Sequence, residues 1–169
     1  MRVRNATTDD VEAVRAVHAE SIAELGREGY DERQVAAWAE GCESAEYTPA
    51  IEADAGVFVV AEDGGDVVAF GTVRFEPPKE HAAAVDGEVT GVYVHPSVAR
   101  TGVGSAVLAE LERRASEQGT RTLGLAASLN AVPFYEAHRY ERVRECAHEF
   151  SSRESAGVTG TVVEMKKKL

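Results

Sequence analysis

The run GVFVVAEDGGDVVAFGTVRF, residues 56–75, constrains the fold more than any other stretch of the chain. Two β-rich segments flank Asp63-Gly64-Gly65, and a glycine-bearing turn between such segments is the short-range signature of a hairpin. The next stretch is of a different kind. The polar, proline-bearing loop EPPKEHAAAVDG leads into EVTGVYVHP, a strand stopped by Pro96. From about Gly102 to Gln118 the spacing predicts a helix with Val103, Val107, Leu108, Leu111 and Ala115 on one face and Gly119 at its end. TLGLAAS is then a short buried strand. A hairpin feeding a strand–helix–strand unit implies a mixed sheet with helices on both faces, an α/β (α+β) architecture.

The flanking segments complete the order. RVRNAT alternates as a short edge strand, and Thr8-Asp9-Asp10 signals a helix cap. Val11, Val14, Val17, His18, Ile22 and Leu25 then fall at helical spacing, with Gly26 and Gly29 as the stop. A second helix is expected from Asp31, carrying Val35 and Trp38 and ending at Gly41. Residues 130–138 read as a brief helix with Pro133 in its first turn. Two strands are expected near 141–150 and 160–166, joined by a flexible SSRESAG, and the closing KKKL reads as a solvated terminus.

No internal repeat interrupts this order, and 169 residues suit a single domain over 1–169. No segment approaches the roughly 20 apolar residues of a membrane span. MRVRNATTDD has no apolar run behind its charges, so no secretory signal is expected. Cys42 and Cys146 are far apart and resemble neither a metal knuckle nor a disulfide framework, which suits a reducing cytoplasm. The net charge of −11 argues against nucleic acid as a partner. Lysine occurs only at Lys79 and Lys166–Lys168, so the acidic surplus suits either a high-salt habitat or an ordinary acidic cytosolic protein. No histidine pair has metal spacing, so no metal is expected.

Two glycines, Gly102 and Gly104, open the helix that comes after the EVTGVYVHP strand. A helix N-terminus presents unpaired amides and the positive end of its dipole, and glycine lets an anion approach where a Cβ would block it. The bare alternative is a glycine-rich loop serving only a sharp connection. A Walker loop would need GxxxxGK[ST], and no Lys-Ser/Thr pair occurs here. A dinucleotide fingerprint needs GxGxxG directly after its strand, whereas the third position here is Val107 and the strand ends some residues earlier.

ARTGVGSAVL resembles instead the pyrophosphate loop Q/R-x-x-G-x-G/A of the GNAT superfamily of acyl-CoA-dependent N-acyltransferases, with Gly102 and Gly104 at the glycine positions. Ala99 stands at the Q/R position and the arginine comes next, at Arg100. NAVPFYEAHRY resembles the family's Asn and Phe-Tyr segment, with Arg139 where the family usually has Gly. EVTGVYVHP resembles its central strand, and Glu88 lies 11 residues before the Q/R position, a common family spacing. The resemblance covers nearly the whole chain.

It implies a mostly antiparallel GNAT sheet splayed at its two central strands, 88–94 and 122–127, with the pantetheine arm of acetyl-CoA in the gap. Main-chain groups of Val92 and Val94 would pair with that arm as in strand addition, and Gly91 suits a bulge that starts the splay. Arg100, Thr101, Gly102, Val103, Gly104 and Ser105 would hold the pyrophosphate, and Asn130 would bond the arm further along. Tyr135 matches the family's general acid by position, with Phe134 expected in the core beside it, and the amide of Val94 is the candidate oxyanion donor. Glu88 is the candidate base, directly or through water, with His81 and Asp86 as weaker alternatives; His18, His138 and His148 read as packing or surface residues. Tyr30 and Trp38 are candidates for lining the acceptor pocket.

The activity implied is N-acetyl transfer from acetyl-CoA directly to a primary amine, small molecule or peptide. Neither cysteine matches a nucleophile position, which favours direct attack. The alternative, motivated by Ala99 and Arg139, is a CoA-binding sensor that has lost turnover. The C-terminal edge strand is a candidate for pairing in a homodimer.

Overall fold

The structure is a computed structural model that describes residues 1–150 and 157–169. The loop expected to be flexible lies mostly outside the described residues. The described residues form a seven-stranded sheet in the order β1-β2-β3-β4-β5-β7-β6. Its strands are β1 (Arg2–Asn5), β2 (Gly56–Asp63), β3 (Asp66–Arg74), β4 (Gly87–Val94), β5 (Thr122–Ser128), β6 (Glu141–Glu149) and β7 (Thr159–Lys168). Neighbours are antiparallel except β4 and β5. The helices are α1 (Val11–Leu25), α2 (Glu32–Glu43), α3 (Thr48–Glu52), α4 (Val103–Glu117) and α5 (Val132–Ala137). In the β2–β3 turn both Gly64 and Gly65 have positive φ, the conformation a two-residue hairpin demands.

Strand alternation divides the core into two layers. Val59 and Ala61 of β2 face the apolar stripe of α4, where Val107, Leu108 and Leu111 are fully buried. Phe58 and Val60, one residue out of step, pack on the other face with Val14 and Val17 of α1. Val162 of β7 and Phe150 join Ile22, Val35 and Ala37 of α1 and α2 on that same side. The sheet is therefore sandwiched between α1–α2 and α4.

Two local readings are corrected, and one helix is added. Helix α2 does not stop at Gly41 but runs to Glu43. The guanidinium of Arg15 donates to the carbonyls of Cys42, Glu43 and Ala45 at 2.7, 3.2 and 2.9 Å, so α1 supplies the C-terminal cap that outweighs the glycine. Helix α3 had no sequence signal; it is one turn opened by Pro49. The lysine run is not a loose terminus, because Lys166, Lys167 and Lys168 complete β7 opposite Gly124, Leu123 and Thr122. The ammonium of Lys167 donates to Glu112 at 2.6 Å and lies over the Tyr140 ring.

Candidate active site

Strands β4 and β5 pair, among the described residues, only at Gly87–Leu123 and Glu88–Gly124 and then diverge. On the other side of β4 the register with β3 slips between Val89 and Gly91, so Thr90 is the extra residue of a bulge that bends β4 away from β5. Beyond the bulge the antiparallel alternation fixes which backbone groups of β4 point outward. The His95 amide donates to the Val68 carbonyl at 2.8 Å, so the pairs Val94–Ala69 and Val92–Gly71 are the ones that exchange no hydrogen bonds. The amides and carbonyls of Val92 and Val94 therefore face the gap.

The gap opens into a cavity of about 450 Å³. Ser21, Ile22 and Leu25 of α1 form one wall, and Val92, Tyr93 and Val94 a second. Ser128, Asn130, Ala131, Pro133 and Phe134 close the far side, with Trp38 of α2 reaching the edge. The floor is the start of α4: Gly102 has φ +92°, and no side chain caps the helix, so its first amides are open to a ligand. A Cβ on Gly104 would come within 3.2 Å of Val94 Cγ2 and 3.3 Å of Phe134 Cε1, tight enough that glycine preserves the opening. Asn130 Oδ1 is buried without a hydrogen-bond partner. An orphaned acceptor, an open helix start and two unladdered backbone positions along one cavity together fit a long ligand with an extended amide-bearing arm and an anionic end.

A second cavity of about 200 Å³ shares Trp38, Val92, Tyr93, Ser128 and Ala131 with the first, and Tyr135 lines it from α5. Burial, and then the neighbouring Tyr93 phenol, push the Tyr135 phenol well above its ordinary value, so it stays protonated. Phe134, expected in the core, is half-buried and lines the larger cavity, while Tyr135 is the buried member of the pair. The helix has only six residues, too few for periodicity to tell the two faces apart.

Other expected site residues occupy varied places. Ser105 lines the cavity, its hydroxyl hydrogen-bonded to His138 Nε2 at 2.9 Å. Arg100 has φ +61° and pairs with Glu28 at 2.9 Å on the cavity rim. The Thr101 hydroxyl donates to the Val98 carbonyl and the Val103 side chain is buried, and neither residue is among those lining the cavity. Glu88 lies at the closed end of the gap, opposite Arg74 and Gly124, and is not among the residues lining either cavity. Burial raises its carboxyl above the usual range, partly opposed by Arg74 and His81.

His81 and Asp86 have structural partners: His81 Nε2 bonds the Met165 carbonyl at 3.1 Å, and Asp86 accepts from the amides of Arg121 and Thr122. Tyr30, expected to line the acceptor pocket, is instead a buried strut. Its hydroxyl donates to the Thr161 carbonyl at 2.6 Å and accepts from the Leu129 amide at 2.9 Å. Tyr30→Phe leaves that amide and carbonyl unsatisfied and is expected to cost about 1–3 kcal/mol, read as a lower urea midpoint at unchanged m-value. An unchanged midpoint would remove Tyr30 from the scaffold.

Residues 20–139 match the profile of the Acetyltransferase (GNAT) family. The chain belongs to that family. Among solved structures this GNAT chain is similar to a GCN5-related N-acetyltransferase of Rhodopseudomonas palustris (23% identity, TM-score 0.81, covering 99% of this chain and 95% of that one). It is also similar to the PaiA N-acetyltransferase of Thermoplasma acidophilum in complex with coenzyme A (18%, 0.73, 99% and 98%). A third is a ribosomal-protein-alanine N-acetyltransferase of Brucella melitensis (22%, 0.63, 100% and 100%). No curated protein sequence matches the chain. At these identities the likeness establishes the GNAT fold. In this GNAT chain Arg139 adopts φ +71°, so the backbone keeps the left-handed turn that a glycine would make without strain. Among the described residues no cluster of His, Cys, Asp and Glu could hold a metal ion, and no helix is long and apolar enough to cross a membrane.

Proposed function

We propose that this GNAT protein, acting as one domain over 1–169, transfers the acetyl group of acetyl-CoA directly to a primary amine. The observation that carries the reading is the alignment, along one cavity, of the free backbone of Val92 and Val94, the orphaned Asn130 Oδ1 and the open start of α4. A relative of the same fold is solved with coenzyme A, which supports the same ligand here. The pantetheine arm lies along β4 as an added strand, its amides matched to Val92 and Val94. Asn130 accepts from an amide of the arm, and the amides of residues 102–105 take the pyrophosphate. Arg100, swung from Glu28, adds a cation at the mouth.

The Val94 amide, held in the gap, stabilises the oxyanion as the amine attacks the thioester carbonyl. Glu88, through a water chain from the closed end of the gap, takes a proton from the substrate ammonium so that the neutral amine attacks; Tyr135 gives a proton to the departing thiolate and regains one from the nitrogen as the amide forms. The cysteines support direct transfer: burial pushes the Cys42 thiol up to about 11, a poor nucleophile at neutral pH. Both thiols are free, which suits a reducing cytoplasm. Strand β6 is the sheet's outer edge and largely exposed, the surface on which a homodimer would pair.

Steady release of thiol from acetyl-CoA on addition of amines tests the reading. Tight binding of acetyl-CoA with no release to any amine would leave a CoA-binding sensor instead. The base assignment has its own test. Glu88 must be ionised to accept a proton, and its carboxyl is raised, so the rate falls as pH drops through a value above the usual carboxylate range. Glu88→Gln is expected to lower kcat/KM about tenfold to a hundredfold and to abolish that acid limb. A limb that survives in the variant belongs to another group.

A further inference from the structure

A cavity of about 740 Å³, larger than either described above, opens at the foot of the sheet, where β5 and β6 begin and β7 ends. Strand β6 starts opposite Lys166, so Lys167 and Lys168 run on past it without a β6 partner, and both line the cavity. His138 and Arg139, which follow α5, line it too.

The charge of this place is out of keeping with the chain. The net charge is −11 and lysine is rare, yet three of the four lysines are here. Lys167 is neutralised by Glu112 at 2.6 Å. Among the described residues no carboxylate pairs with Arg139, Lys166 or Lys168, although Arg142 and Arg144 nearby in the chain hold Glu136 and Glu164 at 3.2 and 2.8 Å. Arg139 carries a second signal. Its φ of +71° is a conformation that a residue other than glycine adopts at a cost, and its side chain is exposed. A guanidinium without a partner in its own chain returns nothing for that strain inside the fold.

Among the described residues Glu141 is the one carboxylate on the lining, so three unpaired cations leave a positive surplus. A dianion cancels that surplus and a monocarboxylate does not. A phosphate monoester carries about −1.5 to −2 charges at neutral pH, and its oxygens match the fork of an arginine. The volume leaves room for the group that bears the phosphate. We propose that this cavity is a second anion site, which takes a phosphate monoester dianion on Arg139, Lys166 and Lys168. Two sources supply that group. His138 Nε2 bonds the Ser105 hydroxyl in the first turn of α4, so the cavity adjoins the open helix start, and the 3′-phosphate of acetyl-CoA is one source. A separate small phosphate ester is the other. The first rests on the acetyl-CoA reading and the second does not.

The test measures binding of CoA and of dephospho-CoA, which lacks the 3′-phosphate, to wild type, Arg139→Gly and the double variant Lys166→Gln/Lys168→Gln. Thermal shifts with inorganic phosphate, against chloride at equal ionic strength, are read on the CoA-saturated proteins. A wild-type preference for CoA of about tenfold or more, falling below about threefold in both variants, places the cofactor's 3′-phosphate in the site. Equal affinity for the two cofactors, with a phosphate shift that both variants lose, places a separate ester there. Neither a preference nor a shift that the variants lose overturns the site, whatever the cofactor does. Should neither cofactor bind, the acetyl-CoA reading fails, and the phosphate shift on the unliganded proteins decides the site alone: lost in the variants it stands, absent or unchanged it falls. Arg139→Gly relieves the backbone, so its unliganded Tm is expected to hold or rise while phosphate binding weakens. A lower Tm with phosphate binding intact would make the arginine structural and overturn its role.

Discussion

Gly104→Trp removes the stabilisation that acetyl-CoA gives the wild-type protein and leaves the fold in place. The reasoning starts from the Cβ position: the atoms nearest to it are the ends of the Val94 and Phe134 side chains, both of which border the cavity, and no backbone atom is among them. An indole there fills the ligand's space rather than the core. A ligand at a hundredfold excess over its Kd stabilises the native state by about 2.7 kcal/mol. For a domain of this size that is roughly 5–10 °C in Tm, at about 2–4 °C per kcal/mol. The expected result is a shift of that order in the wild type and none in a variant whose circular dichroism is unchanged. A variant that still responds fully would mean that the glycines only turn the chain.

Tyr135→Phe is expected to lower kcat by about 10² to 10⁴ while KM for acetyl-CoA stays within twofold, the signature of a proton donor rather than a binding group. Burial raises the phenol above its ordinary value near 10, so the proton is present at every working pH and contributes no alkaline limb there. The same shift fixes a stability effect. A raised value favours the folded state while the phenol is protonated, so the contribution is intact below about pH 10 and is lost as pH rises beyond it. Tyr135→Phe should flatten that alkaline decline. A loss of kcat smaller than threefold would make the ring a packing residue.

Much of this was legible in the residues. The hairpin, the strand–helix–strand unit and the glycines of the α4 start are local signals, and each element lies within a few residues of its expected place. The expectation that Val92 and Val94 pair with a ligand came from the family resemblance; the register, slipped at Thr90, shows only that their backbone groups point away from β3. What the residues did not disclose depends on distant partners. The last turn of α2 exists because Arg15, some 27 residues upstream, caps it. Tyr30 read as a candidate for the acceptor pocket, and only the folded chain brings Thr161 and Leu129 to its hydroxyl. Phe150, at the end of an edge strand, carried no local hint that it would stack on Trp38.

The short contact between β4 and β5 has a mechanical consequence. Most sheets are continuous plates, but this one is two plates riveted at one corner, and an incoming extended molecule is the missing seam. Something else must keep the plates aligned while the seam is open. Helix α1 rests on β3 and β4, and Tyr30, just beyond its end, is bolted to β7 and to the residue after β5. That hydroxyl is thus a tie-bar across the opening, made by a residue outside the cavity lining. Under the proposed function, Tyr30→Phe would change affinity for acetyl-CoA from a position that does not touch it.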